Sequence, residues 1–350
     1  MTMKHGGDWT GYLEEYGCLP MDFSASVSPF GLPKGVREAA VCALDETGCY
    51  PDPFCRELRR KLMEKHGVPE KQIVCGNGAA DLIYRICAWL RPRRALLAAP
   101  DFGAYREALE EVNCEICLFP LRGEKEFRLS PAFSDAVTVE TDIVFLSNPN
   151  NPSGVVAQRD VLRGLLRKCR ETGCLMVLDE CFLDFVENGN ELSMVPELWE
   201  VPELAVLKAF TKTYAMAGLR LGYLLCGSGE LAEALQHTGQ PWPVSHIAQK
   251  AGIAALQEES YVASLRAFIT KERQRMIEGL SKLGFDVIHG EANYLLLHSG
   301  DTSLCCKLRR RSILIRDCSG FDGLGPGWYR VAVRTEEENN ALLDALREVI

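Results

Sequence analysis

Through the middle of the chain, short fully apolar runs alternate with longer stretches whose apolar residues recur every three to four positions. Ala95 to Ala99, Asp142 to Leu146, Leu175 to Leu178 and Leu204 to Leu207 are such runs. An apolar run without polar alternation marks a strand covered on both faces, as in a parallel sheet. Helices are expected between the runs, around Tyr105 to Glu111 and from about Gln158 to Thr172. This alternation predicts the α/β class with a mostly parallel central sheet, in which ligands gather at the carboxyl ends of the strands.

From about Ser245 the rhythm changes. Two amphipathic helical stretches (His246 to Gln257, Glu259 to Leu283) precede Val287 and strand-like segments at Asn293 to Leu297, Ile313 to Arg316 and Tyr329 to Val333, with a last helix from Thr335. A smaller α+β lobe is expected there, with Pro241 and Pro243 marking the crossing. The expected division is an N-terminal arm over 1–30 that joins the small domain to the active site, a large domain over 31–244 and a small C-terminal domain over 245–350.

Composition narrows the class of ligand. With 350 residues, 47% hydrophobic and 25% charged, the chain reads as globular with ample core. The formal net charge of −9 disfavours nucleic acid and anionic membrane as partners, so an anionic ligand must be gripped by local arginines. Arginines do cluster late, at Arg309 to Arg311, Arg316, Arg330 and Arg334; the first three also suit a solvated helix face. No run reaches the roughly 18 apolar residues of a membrane helix, and Met1 to Gly7 lack the apolar core of a signal peptide. The 15 cysteines scatter through apolar stretches and read as small buried hydrophobes in a reducing cytoplasm. The lone Cys114-x-x-Cys117 has no second pair, so no metal site is expected.

Candidate chemistry sits where the strands end. Cys75-Gly76-Asn77-Gly78-Ala79-Ala80-Asp81 opens an apolar-periodic helix, where glycines free the turn and the first N–H groups can meet an anion. Pro100-Asp101-Phe102 puts an aromatic at a strand exit, either as a stacking surface or as core. Ser147 to Gly154 is a proline-fixed loop rich in asparagine. Asp179-Glu180 places carboxylates after an apolar strand, where burial demands a partner such as a protonated ring nitrogen. Lys208-Ala209-Phe210-Thr211-Lys212 brings lysine, the residue suited to Schiff bases when desolvated, and Gly218-Leu219-Arg220-Leu221-Gly222 follows.

In order and spacing, Asn151-Pro152-Ser153-Gly154, Asp179-Glu180, Thr211-Lys212 and Gly218 to Gly222 resemble the fold-type-I pyridoxal-phosphate (PLP) enzymes of the aminotransferase superfamily. The resemblance implies PLP as cofactor, with Lys212 as the Schiff-base lysine and Asp179 pairing with the ring nitrogen. It implies that Asn151 bonds the phenolic oxygen and Phe102 stacks on the ring. Gly78, Ala79, Ala80, Thr211 and Arg220 would hold the phosphate. Tyr50 matches a tyrosine that reaches the neighbouring subunit's phosphate, so a homodimer with shared sites is implied. Phe182 departs from the wider family, where many members carry a phenol that donates to the same oxygen.

Within the superfamily the chain is similar to threonine-phosphate decarboxylases of cobalamin biosynthesis and to histidinol-phosphate aminotransferases. Both act on an amino compound bearing a phosphate. His5-Gly6-Gly7, Met21 to Pro29, Gln240 to Ser245, Ile315 to Ser319 and Tyr329 to Arg334 tilt the resemblance towards the decarboxylases, although Ser26 stands where those enzymes usually carry Asn. On that resemblance Arg330 would take the substrate carboxylate, and Arg316 with His5 its phosphate. Asn293 orients either the substrate or the lobe interface, and Arg334 is either a surface residue or a support. A catalytically idle regulator is disfavoured, because no basic module accompanies the motifs.

Overall fold

The structure, a computed structural model, describes residues 6–199 and 201–350; His5 lies outside them. Among the described residues the large sheet has seven strands: β1 (Ile73–Gly76), β2 (Arg94–Ala99), β3 (Glu115–Pro120), β4 (Ile143–Ser147), β5 (Leu175–Asp179), β6 (Leu204–Ala209) and β7 (Gly222–Cys226). Their spatial order is β1-β7-β6-β5-β4-β2-β3. β7 runs antiparallel to both neighbours, and the remaining pairs are parallel.

β4, β5 and β6 are buried along their whole length. The cause is visible in the side chains, which alternate between two faces that are both covered. Leu96, Val144, Met176, Leu178 and Val206 enter one apolar cluster, while Leu97, Phe145, Val177 and Leu207 enter the other. The helix Arg159–Thr172 buries Leu162, Leu165, Leu166 and Cys169, one stripe at helical spacing, and ends on Gly173 at φ 73°.

The small lobe holds a four-stranded antiparallel sheet of β8 (Asp286–Val287), β9 (Tyr294–His298), β10 (Arg316–Asp317) and β11 (Trp328–Ala332), ordered β10-β11-β9-β8. The long helix Glu259–Lys282 and the last helix Glu336–Val349 supply its apolar partners. A capping box between Thr335 and Glu338 starts the latter.

Two expectations change here. Ile313 to Arg316, read as one strand, splits: Ile313–Leu314 pairs in parallel with Met21–Asp22, and only Arg316–Asp317 joins the small sheet. The helix His246–Ala255, grouped by sequence with the small lobe, places Ala248, Ala251 and Ala255 in the core of the large one. The arm itself runs between the lobes. The Phe23 amide donates to Leu314 O, Phe23 O accepts from the Ala332 amide, and the Ser28 amide donates to Lys212 O, at 2.8, 2.8 and 2.9 Å. None of the described helices is long and apolar enough to cross a membrane.

Candidate active site

A cavity of about 730 Å³ opens at the carboxyl ends of the large sheet and is roofed by the small lobe. Ala79 and Ala80 reach it from beyond β1, Phe102 from beyond β2, Asn151 from beyond β4, Asp179 from the end of β5, and Thr211 and Lys212 from beyond β6. Arg220 enters ahead of β7, and Arg316 and Arg330 enter from the small sheet. Residues far apart in sequence meet here because parallel strands deliver all their outgoing loops to one edge.

At one end lies an acid. Asp179 is buried; its Oδ2 accepts from the Tyr105 hydroxyl at 2.8 Å and its Oδ1 from the Cys181 amide at 2.9 Å. Burial raises its pKa, and these hydrogen bonds oppose the rise. Tyr105 stacks on Phe145 with centroids 5.1 Å apart. Tyr105 sits on the helix that the sequence predicts, and its chemistry emerges only with its partner in the fold. Its signal was a phenol three residues after Phe102 on the inward helix face, where a buried hydroxyl needs a partner.

The neighbouring Glu180 points elsewhere. Its carboxylate lies 3.0 Å from Lys208 Nζ and accepts from the Ser193 hydroxyl and the Met194 amide, each at 2.7 Å. Of two acids and two lysines close in sequence, Glu180 and Lys208 form a buried ion pair while Asp179 and Lys212 line the cavity. Lys212 Nζ sits 5.9 Å from the Phe182 ring centroid. Burial, then the nearby Arg330 guanidinium, lower its pKa to about 8.

Elsewhere in the wall an uncapped helix start meets Arg220. The helix Gly78–Leu90 begins with no side-chain cap, leaving its first N–H groups beside the cavity. Gly78 has φ +82°, and a Cβ there would come 2.5 Å from Arg220 Nη2; a Cβ on Gly222 would come 2.6 Å from the Ala79 nitrogen. Only glycine at both positions lets the guanidinium and the helix terminus approach this closely. Tyr50 does not line the cavity; it is 80% exposed, stacks on Trp242 at 4.5 Å, and shares an open outer cleft with Arg220.

The roof is cationic. Arg316 and Arg330 are directly opposed in the β10–β11 ladder, an arrangement that destabilises a sheet when the charges are alike. Burial and then Arg330 are the influences that lower the Arg316 pKa. Arg330 is buried and donates to Asn151 Oδ1 and to Ser24 O, at 2.5 and 3.1 Å, while its Nε has no partner among the described residues. Ser26 also lines the cavity, and its buried hydroxyl is likewise unpartnered. Asn293 stands off the cavity, fully buried just ahead of β9. Arg334 pairs with Glu338 at 2.6 Å and donates to Asp22 O, so it supports the arm.

The whole chain is similar to known proteins. The family model described as aminotransferase class I and II matches residues 20–346. A threonine-phosphate decarboxylase of Salmonella typhimurium is 35% identical, covering 99% of this chain and 96% of that protein. The structure of a histidinol-phosphate aminotransferase from Clostridium acetobutylicum superposes with TM-score 0.88 at 27% identity, covering 94% of this chain and 98% of that one. That of an L-threonine-O-3-phosphate decarboxylase from Porphyromonas gingivalis gives 0.82 at 25%, covering 93% and 98%. PLP, the cofactor of these enzymes, carries a basic ring nitrogen, an aldehyde and a phosphate. The buried acid, the amine of depressed pKa and the uncapped helix terminus beside a guanidinium offer one partner for each. The chain therefore belongs to the class I and II aminotransferase family of PLP enzymes.

Proposed function

We propose that this chain decarboxylates L-threonine O-3-phosphate to (R)-1-amino-2-propanol O-2-phosphate, a precursor of the cobalamin side chain. The observation that carries the reading is the opposed pair Arg316 and Arg330 in the roof over Lys212, two planar cations for a substrate with an anion at each end. The full-length similarity to the Salmonella decarboxylase supports it.

Bound PLP supplies an electron sink for charge developing at the substrate's α-carbon. In this reading Lys212 is the amine that holds it, and Asp179 keeps a proton on the ring nitrogen, its own oxygens fixed by Tyr105 and the Cys181 amide. Phe102, in the cavity wall, would pack against the ring. Asn151 donates to the phenolic oxygen without help from Phe182, which has no hydrogen to donate. The first turn at Gly78, Ala79 and Ala80, the Thr211 hydroxyl and Arg220 would hold the cofactor phosphate. Arg330 takes the substrate carboxylate and Arg316 its phosphate, a role in which His5 would join from outside the described residues.

Arg330 would hold the carboxylate that leaves as CO₂. Tyr50, exposed beside Arg220, suits a reach into the site of a second copy, giving a homodimer with shared sites.

The second reading is an aminotransferase acting on histidinol phosphate, favoured by the close superposition on the Clostridium enzyme. Holoenzyme given threonine phosphate without any keto acid separates the two. Release of one CO₂ per substrate is the expected result. Turnover of either phosphate compound only with 2-oxoglutarate, yielding glutamate and no CO₂, sinks the decarboxylase.

A further inference from the structure

Asp101 lies two residues beyond β2 in the cavity wall, 8% exposed. Its carboxylate accepts from the Phe102 amide at 2.8 Å, from the Ser147 amide at 3.2 Å and from the Ser147 hydroxyl. That hydroxyl in turn accepts from the Asn151 amide at 2.9 Å. All of these donors are neutral. Burial raises the Asp101 pKa to about 7 against their pull, and the negative charge of Asp179 pushes the same way. Tyr105 and Tyr294 are the other titratable groups whose ionisation Asp101 opposes.

A buried carboxylate held only by neutral donors is a costly way to shape a loop. Asparagine could not replace it, because it has one acceptor oxygen and its NH₂ would face another donor. What the acid achieves is a common anchor for two separate walls: Phe102 on the ring face and Asn151 on the ring edge.

We infer that Asp101 is a positioning residue for the cofactor, setting Phe102 through its amide and Asn151 through the Ser147 hydroxyl. This rests on the assignment of Phe102 and Asn151 to the cofactor, not on the choice of substrate. Because Asp101 and Ser147 act in one chain of hydrogen bonds, removing either breaks the same link, and their effects do not add.

The test measures PLP affinity of the apoprotein and the pH midpoint of the bound cofactor's visible absorption in Asp101→Asn, Ser147→Ala, the double variant and Asn151→Ala. Each single change weakens PLP by about tenfold, the scale of a lost hydrogen bond to a charged group, and the double variant is no weaker than the worse single. In Ser147→Ala the midpoint rises by about one pH unit, since a misplaced Asn151 no longer stabilises the phenolic oxygen as an anion. Additive losses, or an affinity and midpoint left unchanged in Ser147→Ala, overturn the inference. Should Asp101→Asn not fold, Ser147→Ala decides the matter alone through its midpoint. An Asn151→Ala protein that binds PLP normally instead removes the assignment beneath it, so the two failures are distinguishable.

Discussion

At the scale of the residue, Lys212 reports on its surroundings through its basicity. Only the neutral amine attacks an aldehyde, and the neutral fraction grows as pH passes the amine's pKa. Burial and Arg330 bring that value to about 8 from the ordinary 10.5. The rate at which apoprotein takes up PLP covalently should therefore climb about tenfold per pH unit below 8 and flatten above it. Arg330→Gln removes a like charge and should move the break to higher pH, read from stopped-flow absorbance. An unmoved break means Arg330 does not act on the amine. Lys212 and Asp179 were legible in the sequence because Thr211-Lys212 and Asp179-Glu180 stand in the order and spacing of a known family. Tyr105 and Asp101 were not, because each becomes meaningful only through a partner that tertiary packing supplies, Asp179 for one and Ser147 for the other.

At the scale of the element, strands β2, β4, β5 and β6 could be read directly, because a run covered on both faces has no other apolar pattern available. β7 went unread: Gly222 and Tyr223 interrupt its apolar run, and its antiparallel setting between β1 and β6 depends on distant partners. The break after Leu314 was hidden for a related reason, since the arm at Met21–Asp22 captures half of a continuous apolar segment. The residue after β5 and the penultimate residue of β6 are joined as the Glu180–Lys208 pair, with side chains 0% and 11% exposed. Breaking a buried pair leaves one charge uncompensated and costs about 3–5 kcal/mol. Lys208→Met should lower the urea midpoint accordingly, while Glu180→Gln/Lys208→Met should recover most of the loss. Equal instability in both would show that packing, not charge, is what the pair provides.

At the scale of the whole molecule, the cavity depends on two lobes joined by the arm, and Arg106 bridges its mouth through a 2.8 Å contact with Asp322 in the small lobe. A dimer would add the outer wall at Tyr50; sedimentation of Tyr50→Ala beside the parent separates a contribution to the neighbour's phosphate site from one to assembly. Weakened PLP binding with dimerisation intact is the expected outcome. The opposed arginines of β10 and β11 also bear on heat tolerance. A sheet edge that carries facing cations relaxes when an anion enters between them, so occupancy feeds back on folding. Inorganic phosphate at about 100 times its dissociation constant should add about 2.7 kcal/mol of stability, seen as a higher melting temperature that Arg316→Gln forfeits. The facing of Arg316 and Arg330 thus couples what fills the cavity to how firmly the small sheet holds together.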